Sequence, residues 1–335
     1  MDPLALRHRD PALGIPEETV AAMSVEASGK AIADAGIDAG QIGAVVVSTV
    51  SHFQQTPAVA TLIADQLGTD KAAAFDISAG CAGFGYGLTL AKSLVVEGSA
   101  EYVLVIGVER LSDLTDLEDR ATAFLFGDGA GAVVVGPSQE PAIGPTVWGS
   151  EGDKSDTIKQ TVPWTDYRDG TVEKFPAITQ EGQAVFRWAV FEMAKVAQQA
   201  LDAAGITADE LDVFIPHQAN VRIIDSMVKT LKLPEHVTVA RDIRTTGNTS
   251  AASIPLAMER LLATGEAKSG DTALVIGFGA GLVYAATVVT LPRHSVPDLA
   301  VRYARNHRHI LRNHNEGAPS WPPLRKRSSP VSRRS

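Results

Sequence analysis

The chain carries one pattern twice, and a duplicated pattern narrows the available folds more than any single motif does. From Val20 the order is an Ala-rich helix (VAAMSVEASGKAIADAG), a buried strand (IGAVVVST), a helix (PAVATLIADQLG) and a short strand (AAFDIS). Glycines, Cys81 and a further helix follow, then the strand YVLVIGVE and another reached through FGDGAGAVVVG. The order returns with helix AVFRWAVFEMAKVAQQALDAAG, strand LDVFIPH, helix VRIIDSMVKTLK, strand HVTVA, loop RTTGNTS, helix AASIPLAMERLLATG and strands TALVIGFG and LVYAATVVTL. ADAG at 33–36 aligns with DAAG at 202–205 at an offset of 169, and LVIG at 104–107 aligns with LVIG at 274–277 at 170. Long apolar runs alternating with amphipathic helices indicate parallel strands covered on both faces. The expectation is an α/β protein of two duplicated halves, 1–140 and 141–292, followed by a basic tail, 293–335.

Charge and cysteine content exclude several function classes. The tail holds ten of the 30 Lys and Arg residues and two of the 39 Asp and Glu, so it carries +8 and the remaining body −17. An acidic body argues against nonspecific nucleic-acid binding. The tail is rich in Arg, His, Ser and Pro without apolar periodicity; a disordered extension is expected, with a nucleic-acid arm as the alternative. No apolar run approaches the roughly 20 residues a bilayer demands, and the residues after Met1 form no signal peptide. With one cysteine, Cys81, no intramolecular disulfide can form, which fits a reducing cytoplasmic setting.

The repeat also locates the chemistry. Cys81 follows Gly80 and Asn248 follows Gly247, each read as the end of a strand and the start of a helix in its own copy, while His217 ends a strand whose counterpart ends near Ser48. Ligands of open α/β sheets gather at the carboxyl ends of the strands, so all three point to one rim. A cysteine at a helix N-terminus gains help in forming its thiolate from unsatisfied N–H groups and partial positive charge. Elsewhere a lone cysteine is usually a small buried hydrophobe, a histidine after a strand can be a satisfied core residue, and TTGNTSAAS can be a helix cap.

The motifs SAGCAGFGYGL, FGDGAGA, IPHQANVRI, GNTSAASIP and FGAG, over residues 17–292, resemble β-ketoacyl-acyl-carrier-protein synthase III, a condensing enzyme of the thiolase fold. The resemblance implies two thiolase halves in a layered α-β-α-β-α arrangement, normally in a homodimer. It implies condensation of an acyl-CoA primer with malonyl-acyl carrier protein, initiating fatty-acid synthesis with no cofactor or metal. Cys81 would be the nucleophile that forms an acyl-enzyme, and the backbone N–H groups of Cys81 and Ala280 the oxyanion hole; the family usually has glycine where Ala280 stands. His217 Nε2 and the Asn248 amide would stabilise the charge that develops as malonyl thioester loses carbon dioxide. Phe278 would disfavour the malonyl carboxylate. Arg120 and Asn220 align with residues near the CoA and pantetheine entrance. Arg187, Arg222 and Lys229 align with the patch that meets the acidic carrier protein, where a solvated helix face is the alternative. Thr56 falls where acetyl-selective members place a bulky aromatic from the partner subunit, which implies room for a longer or branched primer.

Family members open with a strand and a Trp- and Arg-containing segment that holds the CoA adenine, and nothing before PEETV matches it. The second copy has a candidate opening strand, AIGPTVW (142–148), where the first has MDPLALRHRDPALGIPEE. Opening strands are expected to be central to their sheets, so losing one would expose unpaired backbone. The expected explanation is a start codon assigned too late, with an inactive truncated remnant as the alternative. A starter synthase of polyketide or secondary metabolism is a further reading. A papain-like hydrolase shares the Cys-His-Asn order but lacks support in a duplicated α/β chain.

Overall fold

The structure, a computed structural model, describes residues 18–294. The expectations about an opening segment before PEETV and about the basic tail concern residues outside that range, Arg293 and His294 excepted.

The first half comprises α1 (Val20–Ala35), β1 (Ile42–Ser48), α2 (Val59–Leu67), β2 (Ala73–Ile77), α3 (Gly83–Glu97), β3 (Tyr102–Arg110) and β4 (Asp128–Val135). Between the halves and early in the second come β5 (Val147–Ser150), β6 (Ile158–Gln160), α4 (Trp164–Arg168) and β7 (Ile178–Gln180). The second repeat continues with α5 (Gly182–Ala204), β8 (Val213–Pro216), α6 (Val221–Leu231), β9 (Thr238–Val239), α7 (Ile243–Thr246), α8 (Ser253–Thr264), β10 (Thr272–Gly279) and β11 (Val283–Thr290). The repeated ADAG and DAAG are helix stops. Gly36 and Gly205 end α1 and α5 in the left-handed conformation, where their N–H groups return to carbonyls of the last turn.

The sheets run β2-β1-β3-β4 and β5-β11-β10-β8-β9, with β3–β4 and β10–β11 antiparallel and β1–β2, β1–β3, β8–β9 and β8–β10 parallel. Helices α1 and α2 cover the outer face of the first sheet, and α5 and α6 that of the second. Between the sheets lie α3, against β1, β3, β10 and β11, and α8, against β4, β8 and β10. The result is the expected five-layer α-β-α-β-α arrangement. Strands buried on both faces explain runs such as Val45, Val46 and Val47, all fully inaccessible to solvent. Each such side chain contributes on the order of 1.5–3 kcal/mol relative to exposure.

Two expectations require correction. Among the described residues the opening strand of the second half, β5, pairs with β11 alone and lies at the edge of its sheet rather than at the centre. It is also shorter than AIGPTVW, with Ile143 making an isolated bridge to Val289. A local apolar run shows that a strand forms but not which neighbour it takes. Secondly, Asn248 does not lie at the end of a strand. The single-turn 3₁₀ helices Gly80–Ala82 and Ser250–Ala252 are the matching pair, preceding α3 and α8, so Cys81 corresponds to Ala251 at the 170-residue offset. Asn248 instead follows α7, which intervenes between β9 and the loop.

The shared LVIG also acquires a physical meaning. A Cβ on Gly107 would lie 2.2 Å from Ala251 O, and one on Gly277 would lie 2.9 Å from Cys81 O. In each half the glycine of this strand lets the other half's 3₁₀ turn rest on the sheet. The two turns also contact each other, which brings Cys81 and Ser250 together at the boundary between halves.

Candidate active site

A cavity of about 940 Å³ opens at the carboxyl ends of the central strands and is lined by Cys81, His217, Asn248, Phe278 and Ala280. Cys81 lies on the turn after β2 and retains partial exposure to the cavity. The backbone of Gly279 is pressed against it: a Cβ there would be 2.9 Å from both Cys81 Cβ and Sγ and 3.1 Å from Cys81 N. A Cβ on Gly80 would likewise meet Ala280 N at 3.3 Å. The Gly279–Ala280 backbone and the Cys81 turn are therefore in close contact, as a paired set of backbone donors requires.

The position at a helix start does not lower the thiol's pKa as expected. Burial dominates and, helped by the charge of Glu109, pushes Cys81 up to about 12 against the lowering effects of the Ser250 hydroxyl and the turn's own backbone. The resting sulfur is a thiol.

His217 follows β8 and is almost completely buried, its N–H donating to Ile276 O at 2.7 Å. Burial lowers the imidazole to about 3, so the ring is neutral at physiological pH. Its Nδ1 lies 2.7 Å from Ser253 Oγ. That hydroxyl also accepts the Gln218 N–H at 3.4 Å. When it donates its own proton to Nδ1, the neutral ring carries its hydrogen on Nε2. Phe278 stands edge-on to the ring, with centroids 5.4 Å apart, and also packs edge-on against Trp188.

Asn248 is held from the opposite half. Its N–H donates to Leu125 O at 2.9 Å and its carbonyl accepts from Gly127 N at 3.0 Å, so the FGDGAGA segment braces the loop. Its side-chain Oδ1 accepts the Ser250 N–H at 2.9 Å, which leaves the amide NH₂ as the free end. Asn248 thus has its accepting atom occupied by protein and a donor left over, and His217 has one ring nitrogen engaged by Ser253 and the other unengaged by it.

The remaining candidates are more dispersed. Asn220 lines the cavity, but its side-chain oxygen caps α6 by accepting from Arg222 N at 2.8 Å. Arg120 is exposed on the β3–β4 connection and does not line the cavity. Arg187 on α5 and Arg222 and Lys229 on α6 are exposed on two helices that pack together. Phe186 and Trp188, which flank Arg187, line the cavity. Thr56 is exposed and outside the lining, whereas Gln54 and Gln55 belong to it.

Sequence reasoning did not single out Ser250, Ser253 or Glu109. Glu109, fully buried near the end of β3, accepts at Oε2 from Ser51 Oγ at 2.6 Å, Val50 N at 3.1 Å and Thr49 Oγ1 at 3.3 Å. Its Oε1 accepts from Ser250 Oγ at 3.2 Å. Burial outweighs these bonds and pushes the carboxyl up to about 7. The available signal was one acidic residue ending the apolar run YVLVIGVE. Among the described residues no group of three or more His, Cys, Asp or Glu side chains is arranged to hold a metal ion, and no helix there is long and apolar enough to cross a membrane.

Comparison with known proteins bears on this geometry. Residues 75–152 match the family model for 3-oxoacyl-[acyl-carrier-protein] synthase III, and residues 201–291 match the model for the C-terminal region of the same family. The chain is 90% identical over 276 residues to the β-ketoacyl-[acyl-carrier-protein] synthase III of Streptomyces glaucescens, covering 82% of this chain and 83% of that protein. It is 88% identical over 287 residues to synthase III 1 of Streptomyces coelicolor, covering 83% and 84%. Among solved structures it is similar to the priming β-ketosynthase of a polyketide biosynthetic pathway, at 47% identity and a TM-score of 0.82 over 84% of each chain. The duplicated fold and these matches set aside the papain-like reading.

Proposed function

The chain belongs to the β-ketoacyl-acyl-carrier-protein synthase III family, and on that premise we propose that its cavity performs a decarboxylative Claisen condensation of an acyl-CoA primer with malonyl-acyl carrier protein. The reaction initiates fatty-acid synthesis. The observation that carries this reading is the meeting of one thiol, one backbone turn and two oriented donors in a single cavity.

Cys81 attacks the primer thioester, with the backbone N–H groups of Cys81 and Ala280 receiving the oxyanion. One such donor contributes roughly 3 kcal/mol to the transition state. CoA leaves and the acyl group remains on sulfur. Malonyl thioester then loses carbon dioxide, and negative charge develops on its carbonyl oxygen. His217 Nε2–H and the Asn248 NH₂ are the free donors suited to that oxygen, because their other polar atoms are bonded to Ser253 and to the Ser250 N–H. The apolar edge of Phe278 beside His217 disfavours the charged malonyl carboxylate and favours its departure. The resulting carbanion attacks the acyl-Cys81 carbonyl. None of these steps calls on a cofactor.

For the carrier protein we assign the exposed cations Arg187 on α5 and Arg222 and Lys229 on α6, since a local positive face is needed on an acidic body. Asn220 and Arg120 are assigned to the pantetheine and CoA path. In a cytoplasmic homodimer the exposed Thr56 would face the partner subunit's primer pocket, its small size favouring a longer or branched primer. The test is intact mass after incubation with acyl-CoA: an acyl adduct is expected on the wild-type chain and none on Cys81→Ala. A wild-type chain that stays unmodified by every acyl-CoA tried would refute the reading. Starter condensation in polyketide synthesis is a second reading, favoured by the likeness to the priming β-ketosynthase. Competition between fatty-acid and polyketide carrier proteins separates the two.

A further inference from the structure

The orientation that suits His217 to donate disqualifies it as the acceptor of the Cys81 proton. In the tautomer that donates from Nε2, which the decarboxylation step above uses, Nδ1 accepts from Ser253 at 2.7 Å and Nε2 already carries hydrogen. A thiol held above its ordinary range must lose its proton to become a nucleophile, and it therefore needs another base.

We propose that Glu109, acting through the Ser250 hydroxyl, receives the Cys81 proton during acylation; the proposal rests on the acyl-Cys81 chemistry above. The turn that carries Ser250 packs on the turn that carries Cys81, the Ser250 hydroxyl is among the groups that lower the thiol, and Ser250 Oγ lies 3.2 Å from Glu109 Oε1. Among the described residues, Oε2 of Glu109 is filled by three donors, whereas Oε1 accepts from Ser250 alone. Backbone conformation is an independent indication. Ser250 has φ +48°, the left-handed region that costs a side-chain-bearing residue energy, and its counterpart in the first half is Gly80, also at +48°. Serine is kept where glycine is the unstrained choice, as expected if its hydroxyl is needed.

The step balances. The thiol proton passes to Ser250 Oγ as the Ser250 proton passes to Glu109 Oε1. This leaves a thiolate that accepts the Ser250 O–H and a neutral carboxyl, so the buried site holds one negative charge before and after. The thiolate forms its bond to the acyl carbon, the bond to CoA sulfur breaks, and the proton returns by way of Ser250 to the departing CoA thiolate. Moving the charge off Glu109 also removes the repulsion that helps raise the thiol. The other charged groups at this end of the sheet are engaged elsewhere. Arg110 pairs with Asp113, Asp128 binds Ser112, and Asp76 accepts from the N–H groups of Val59 and Ala60.

The experiment is single-turnover acylation of the full chain by acyl-CoA, followed by intact mass from pH 5.5 to 9.5. The wild-type rate should rise through an inflection near 7, where Glu109 becomes a carboxylate. Glu109→Gln should lose that inflection and fall about a hundredfold at neutral pH, recovering as hydroxide rises. Ser250→Gly keeps the backbone N–H that holds Asn248 and relieves the positive φ, so it tests the relay without threatening the fold. It should show the same loss, and the double variant no more than the larger single loss. An unchanged inflection in a folded Glu109→Gln, wild-type rates in Ser250→Gly, or losses that multiply would each overturn the relay. Failure of the wild-type chain to acylate would instead strike the underlying function.

Discussion

Alanine at Gly279 is a sharp test of how the thiol is held. The added Cβ would stand 2.9 Å from Cys81 Cβ and Sγ and 3.1 Å from its nitrogen. Ordinary carbon contacts begin near 3.5–4.0 Å, so a gap of about 0.6–1 Å must open. Neither side yields easily. Gly279 is paired with Val283 near the end of β10, and Cys81 sits on a tight turn whose carbonyl already rests on Gly277. Overpacking of this kind costs about 1–3 kcal/mol, which in a unit of this size lowers the unfolding midpoint by roughly 2–12 °C. A reacting atom misplaced by about 1 Å loses on the order of a hundredfold in rate. Quenched-flow acylation of Gly279→Ala by acyl-CoA, read by intact mass, should show that loss in a protein that remains folded by circular dichroism. Acylation within about threefold of wild type would mean that the strand end does not set the thiol's position, and the reasoning from close approach would be wrong.

Two further outcomes follow from the site. His217→Ala and Asn248→Ala should each slow decarboxylation of malonyl-acyl carrier protein by about 10²–10³-fold, while acylation of Cys81 stays within about tenfold of wild type; equal loss of both half-reactions would remove the assigned division of roles. Stability should also respond to pH with a sign set by burial. The Glu109 carboxyl is raised from 4.5 to about 7 on folding, so its contribution is fully present below about 4.5 and is lost as pH rises through 7. His217, lowered from 6.5 to about 3, has the opposite sense, and stability falls as pH drops from 6.5 toward 3. Urea unfolding of Glu109→Gln should therefore show a gain over wild type that is near zero at pH 4 and grows to about 3 kcal/mol by pH 8; a gain that does not change with pH would contradict the buried-carboxylate assignment.

Much of the site was legible in sequence because its main side chains stand where regular patterns break. Cys81 and His217 each follow an apolar strand, and strand ends are where such interruptions converge, while Asn248 stands in the polar loop after α7. The hydroxyls were not legible in the same way. Ser250 and Ser253 sit in TTGNTSAAS, where local chemistry already offers serine a role as a helix cap. Nothing local reveals that one reaches a carboxylate 141 positions away and the other an imidazole 36 positions away. The edge position of β5 was hidden for a related reason: apolar content marks a strand, whereas its order in the sheet depends on which partners the rest of the chain leaves vacant. The sign of the thiol's shift failed because proximity to a helix start is written in the sequence and loss of water is not.

The way Ser253 and the Ser250 amide occupy the lone pairs of His217 and Asn248 sets a rule for any inhibitor of this corner of the cavity. A compound that offers a carbonyl, sulfone or carboximide oxygen there meets two hydrogens already aimed at it. One that offers an amine or hydroxyl proton finds nothing to receive it, so medicinal chemistry at this spot should advance oxygen first.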